Sequence, residues 1–204
     1  MGNQNSSSNR MAISAMAHMM KLTRGKLLML RDHCVAVSES GDTPSGYQIS
    51  RAKFLASMGV VKVSNEPDYE VLEKLLVLWD KNGTDRIDPL LFLAGVSPLA
   101  SVMDVATKLR LAFEVFDYRE TGTVTRDEME SVIGAINKVA SFFGDAVLHE
   151  MQLGVIVDDL FEESRSFDEE EEVNYSDKLH TMAVHPLLIE FISGQGTARH
   201  GTVQ

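Results

Sequence analysis

Oxygen-bearing side chains recur between Asp117 and Glu128, in the stretch DYRETGTVTRDE. An aspartate opens it, Gly122 sits sixth, Val124 eighth and Glu128 twelfth. That spacing suits a hard divalent cation. Calcium takes six to eight oxygens at about 2.3–2.6 Å; alternate residues turn inward and a closing glutamate gives two oxygens at once. The candidate ligands are Asp117, Thr121, the carbonyl of Thr123, Thr125 through water, and Glu128. Arg119 takes the third place and Thr121 the fifth, where carboxylates or amides usually stand. A cation held a few Å from another costs on the order of several kcal/mol even at moderate dielectric. Arg119 therefore weakens calcium binding, and leaves it feasible if its side chain swings outward. The alternative is a loop that holds its shape by its own hydrogen bonds.

Such a loop needs a helix on each side. Leu109, Ala112, Phe113 and Phe116 recur at intervals of three and four before it, and Met129, Val132, Ile133 and Ile136 after it. Upstream, Leu72, Leu75, Leu76 and Trp79 lead into a second loop, DKNGTDRIDPLL. Asp80, Asn82, Thr84 and Asp88 fill its first, third, fifth and ninth places, and Ile87 the eighth. Asp85 replaces the turn glycine, a role aspartate tolerates better than most residues. Leu91 replaces the closing glutamate and removes two oxygens and a charge, so this loop is expected to be empty or a weak magnesium-type site.

Ile87 and Val124 lie 37 residues apart, a period that points to repeated units. One step back reaches Ile49, in a loop from Asp42 through Pro44 and Gly46 to Lys53 that offers no cation site. One step forward, AVHPLLIEFI resembles RIDPLLFLAGV, which matches Val184 to Ile87, Pro186 to Pro89 and Leu188 to Leu91. On that register Asp177, Leu179 and Thr181 hold ligand places, and the fourth loop is expected to be dead. The insertion 162–177, with its DEEEE run at Asp168–Glu172, then reads as a solvated surface. A long helix is expected from Ser141 into the fourth unit, and a short connector at 97–104.

The chain has 204 residues, a net charge of −11 and one cysteine, Cys34. The charge argues against nucleic acid and for a cationic helix or basic protein surface. A single cysteine excludes an intrachain disulfide and fits a reducing compartment. No apolar run reaches the length of a membrane-spanning helix. No phosphate loop, nucleophile elbow or zinc-protease motif is present, so no enzyme is expected. Methionine is abundant, with five between Met11 and Met29; it fills cores and also lines adaptable grooves for partner helices.

The chain begins MGNQNS. Removal of Met1 exposes Gly2, with Ser6 placed as the N-myristoylation pattern requires. One such lipid gives only marginal membrane binding, about 10⁴ M⁻¹. A second signal is available, since residues 1–31 carry Arg10, Lys21, Arg24, Lys26 and Arg31 and no acid. The competing reading makes Met19–Val37 the first helix, with its basic residues on the wet face.

Together the runs KLRLAFEVFDYRETGTVTRDEM and LLVLWDKNGTDRIDPLLFLAGVSPL resemble the third and second units of the four-EF-hand group. That group includes calcineurin B, the neuronal calcium sensors, the calcium- and integrin-binding proteins and calaxin. The resemblance implies an all-α fold of two lobes of paired EF-hands, with short β-bridges between loops. Its expected layout is a flexible segment 1–17, an N-terminal lobe 18–100, a C-terminal lobe 101–195 and a disordered tail 196–204. It implies a regulatory or adaptor protein that grips a partner's amphipathic helix, with calcium and myristate as cofactors, in the cytoplasm or attached to a membrane. The degenerate loops support a second expectation, a calcium-insensitive structural component, for example of a cilium or flagellum.

Overall fold

The computed structural model describes residues 22–63, 66–80, 82–99, 104–143, 147–162 and 172–192. The expectations on Gly2, the segment 1–17 and the tail 196–204 fall outside them. The described chain is mostly helical, with two small antiparallel sheets. Helix α1 (Arg24–Val37) is followed by strands β1 (Glu39–Ser40) and β2 (Tyr47–Ser50), then by α2 (Arg51–Ser57), which tightens into a 3-10 turn at Met58–Val61. Next come α3 (Glu66–Trp79), β3 (Arg86–Ile87), α4 (Pro89–Val96) and a 3-10 turn at Ser97–Leu99. The second half holds α5 (Val105–Phe116), β4 (Thr123–Thr125), α6 (Arg126–Phe142), α7 (Glu150–Glu162), β5 (Glu172–Asn174), α8 (Tyr175–Val184) and α9 (Pro186–Ile192). None of the described helices is long and apolar enough to cross a membrane.

Four of these helices start by one local device. A β-branched residue sits in a strand, and the residue after it caps the next helix. The side chains of Ser50, Asp88, Thr125 and Asn174 accept from the backbone N–H of Lys53, Leu91, Glu128 and Ser176. Each satisfies a donor that the helix start leaves free. The β-branched residues pair across loops: Ile49 lies opposite Ile87, and Val124 opposite Val173.

The second pairing corrects the sequence register. Val173, not Val184, is the bridging residue of the fourth unit; Val184 is the exposed last residue of α8. The physical reason is capping. Val173 is followed by Asn174, which closes an Asx turn onto Ser176, whereas Val184 is followed by His185 and Pro186 inside a helical region. Counted from Val173, Asp177 moves from the first place to the twelfth, and Leu179 becomes a buried residue of α8. The expected helix from Ser141 is also interrupted. Asn137 on α6 binds both the carbonyl and the N–H of Leu148 at 2.9 Å, and α7 starts anew at Glu150. Helix α1 begins at Arg24 behind the Thr23 cap, later than the Met19 start read from sequence.

The buried residues form one continuous core from Leu22 to Leu188. Its hinge is α4, which packs against α1, α5 and α6. There the backbones nearly touch: a Cβ added at Gly95 would lie 2.8 Å from the Ala135 carbonyl oxygen. Around α4, Phe92 meets Phe54 and Trp79 edge-on, at centroid distances of 4.9 and 5.1 Å. Lys138 of α6 sits over the Trp79 ring at 4.4 Å.

Candidate metal centre

The described residues of loops 80–91 and 117–128 turn at the same places. Positive φ occurs at the fourth and sixth places of both: Gly83 (64°) and Asp85 (59°) in one, Glu120 (56°) and Gly122 (74°) in the other. Asp85 thus adopts the turn that its place requires. Glu120 does so without help from a short side chain, at a cost of about 1–2 kcal/mol.

First-place carboxylates hold both turns. One oxygen of Asp80 accepts from the Thr84 N–H (2.8 Å) and hydroxyl (3.1 Å), and the other from the Asp85 N–H (2.8 Å). In the other loop, Asp117 Oδ1 accepts from the Thr121 N–H (3.1 Å) and hydroxyl (3.3 Å), and Oδ2 from the Gly122 N–H (2.8 Å). Burial pushes the Asp80 carboxyl up, but these hydrogen bonds, with the Arg51 charge, outweigh it and hold it below its ordinary value.

Neighbouring units brace each loop. Arg51 of α2 contacts Asp85 at 2.7 Å and Asp80 at 3.8 Å. At the third loop, the Tyr175 hydroxyl of α8 donates to Asp117 Oδ2 (3.3 Å), and Phe113 stacks on the Tyr175 ring. Burial, then the Asp117 charge, pushes the Tyr175 hydroxyl up to about 12, so it stays a donor at neutral pH. Arg31 of α1, only 5% exposed, donates to the carbonyls of Glu114 (2.9 Å) and Asp117 (3.5 Å). It also pairs with Asp32 and Glu120. Arg31 therefore leaves the wet face assigned to it and becomes a prop of the loop entry. Arg24 keeps an exposed face and pairs with Glu114.

The remaining candidates divide. Glu128 takes part in a capping box: its Oε2 accepts from the Thr125 N–H (2.9 Å), and Thr125 accepts from the Glu128 N–H (3.2 Å). Thr121 and Thr123 bond to each other, and the Thr123 hydroxyl reaches Glu172 at 2.5 Å. Asn82 and Thr84 lie exposed in their turn. Asp88 is committed to capping α4 through the Leu91 N–H (2.9 Å) and to the neighbouring loop, accepting from the Ser45 N–H (2.9 Å) and hydroxyl (2.7 Å). Burial pushes the Asp88 carboxyl up despite these bonds. Arg119 is exposed on the rim of a cleft of about 300 Å³, shared with Tyr47, Tyr118, Glu128 and Glu172.

The donor set matches calcium in kind, since every candidate atom is an oxygen. It falls short in convergence: among the described residues no group of three or more His, Cys, Asp or Glu side chains gathers to hold an ion. Glu128 Oε2 already accepts from the Thr125 N–H, so two-oxygen ligation would compete with a hydrogen bond to a charged group that contributes about 1.5–3 kcal/mol.

Sequence reasoning missed Arg31, Tyr175 and Glu172 because all three reach the loop from other units. Only Asn174 carried a local signal, the β-branched-then-cap dipeptide seen at Ile49–Ser50, Ile87–Asp88 and Val124–Thr125. No model of a known protein family matches the chain, and no solved structure matches it.

Proposed function

We propose that this chain is an EF-hand regulatory or adaptor protein with four paired units, which binds calcium weakly through 117–128 and grips a partner's helix. The observation that carries this reading is the shared construction of the two central loops. Both place an aspartate first, positive φ at the fourth and sixth residues, a bridging β-branched residue eighth and a capping side chain ninth. Among the four, the 117–128 loop alone keeps a closing glutamate. Asp177 at the twelfth place of the fourth unit is the nearest substitute, with a shorter reach.

Calorimetric titration with calcium tests the reading. Wild type should give heat at calcium on the order of tens of micromolar, and Glu128→Gln should abolish it. Silence from wild type over that range overturns calcium sensing. The second reading, a calcium-insensitive structural protein of a cilium or flagellum, is favoured by one observation: Glu128 already has its partner in Thr125.

Membrane attachment through a myristoylated Gly2 belongs to the same proposal. The burial of Arg31 leaves fewer basic groups to act as a second signal, so attachment should be reversible. In cell fractionation, Gly2→Ala should move the protein from the membrane to the soluble fraction; an unchanged distribution counts against the lipid.

A further inference from the structure

Asparagine occurs at seven places in the chain, and only Asn82 is followed by glycine. Two of the others show how folding protects an amide. Asn137 is buried, and Leu148 holds both ends of its side chain at 2.9 Å. Asn174 is engaged in capping α8, and the bulky Tyr175 follows it. Asn82 has neither protection. It is exposed in the turn of loop 80–91, and its side chain has no hydrogen-bond partner among the described residues.

Gly83 presents its backbone nitrogen beside that free amide. It has no side chain to screen the peptide bond. A Cβ built on it would meet no atom within 4 Å, so the space around it is open to water. The Gly83 N–H is held by a neutral acceptor, the Asp80 carbonyl, at 3.2 Å. The next two N–H groups, of Thr84 and Asp85, are held by the Asp80 carboxylate at 2.8 Å each. Hydrogen bonds to an ionised acceptor are the stronger kind. Of these three nitrogens, the one next to Asn82 is therefore the easiest to release.

We propose that Asn82 is a self-modification site, where the Gly83 nitrogen converts the side-chain amide to an acid with water as the only co-reactant. The deprotonated Gly83 nitrogen attacks Asn82 Cγ. A bond forms between them, the Cγ–Nδ2 bond breaks, and ammonia leaves with the proton. A five-membered imide ring results. Water then opens it at one of its two carbonyls. Opening at Cγ leaves aspartate in an unchanged main chain. Opening at the main-chain carbonyl leaves isoaspartate, whose peptide bond runs through the former side chain. Nothing is oxidised or reduced: one water enters and one ammonia leaves.

Both products add a negative charge beside Asp80 and Asp85, where Arg51 is the neighbouring cation. The aspartate form keeps the turn. The isoaspartate form adds a carbon to the main chain between Asp80 and its partners at Thr84 and Asp85, so the clasp that closes the turn no longer fits. The loop thus carries a record of the molecule's age in its charge and its shape.

The test ages the full chain at neutral and mildly alkaline pH, with circular dichroism to show that it stays folded, and maps its peptides by mass spectrometry. The Asn82 peptide should gain an acid at least about tenfold faster than those of Asn137 and Asn174, about 1.4 kcal/mol in barrier. Its rate should rise with pH, and the aged protein should bind an anion exchanger more tightly. An isoaspartyl-specific carboxyl methyltransferase with a labelled methyl donor should label aged protein and not fresh protein. Asn82→Gln should abolish the label, since its longer side chain closes a less favourable six-membered ring. Gly83→Ala should slow conversion, but it places a Cβ at a φ of 64°, so Asn82→Gln keeps the test sound if that variant fails to fold. An Asn82 peptide that stays an amide in the folded chain overturns the proposal. So does conversion of Asn137 or Asn174 at an equal rate, or a label that persists in Asn82→Gln. The inference is independent of calcium binding, and neither result decides the other.

Discussion

Phe92→Ala should lower the unfolding free energy by about 3–5 kcal/mol, the range for removing a fully buried aromatic side chain. Phe92 is 0% exposed and lies between Phe54 and Trp79 in two edge-on contacts. Each such pair adds about 0.5–1.5 kcal/mol beyond its buried area. The site cannot collapse to fill the void. One turn further along α4, Gly95 already abuts the Ala135 carbonyl, so the helix has no freedom to slide inward. Because α4 packs on helices of both halves, the loss should appear as an earlier single transition in urea. A loss under about 1 kcal/mol would show that α4 is not the hinge of the core.

Asp88→Ala should cost about 2–4 kcal/mol. The carboxylate caps α4 through Leu91 and accepts both the N–H and the hydroxyl of Ser45. Loss of a cap costs about 0.5–2 kcal/mol, and each donor left buried without a partner adds about 1–3 kcal/mol. Partial solvent access to Ser45 keeps the total at the lower end of that sum.

The same carboxyl makes a pH prediction. Burial raises its folded-state pKa above the ordinary 3.8. The folded chain therefore holds this proton more tightly than the unfolded chain. The stability linked to it is fully present below the ordinary value and is lost as pH rises through the raised one. Compared with Asp88→Asn at each pH, wild type should lose ground between strongly acidic and neutral conditions. Parallel stability curves for the two proteins would refute the burial argument.

Much of the helical scaffold was legible in the chain. The buried positions Leu72, Leu75, Leu76, Leu109, Ala112, Phe113, Met129, Val132 and Ile133 follow from helical spacing alone. The Ile49–Ile87 bridge follows from the repeat period. The fourth unit was misread because a similarity of apolar residues around Pro186 outweighed a weaker but more physical signal, the Val173–Asn174 strand-and-cap pair. Chain geometry prefers the latter: the capping hydrogen bond is local and needs no particular residues downstream.

The candidate site was legible only in its inventory. Sequence by itself determined which residues carry oxygen and where the loop must turn, because backbone conformation at Gly83, Asp85 and Gly122 is a local matter of sterics. Tertiary structure alone decided what those oxygens do. Asp88 is turned to Ser45, Asp117 is shared with Tyr175, and Arg31 is drawn from α1 to the loop's carbonyls. A carboxylate bonds to whichever donors folding brings within about 3 Å, and those donors lie tens of residues away in the chain.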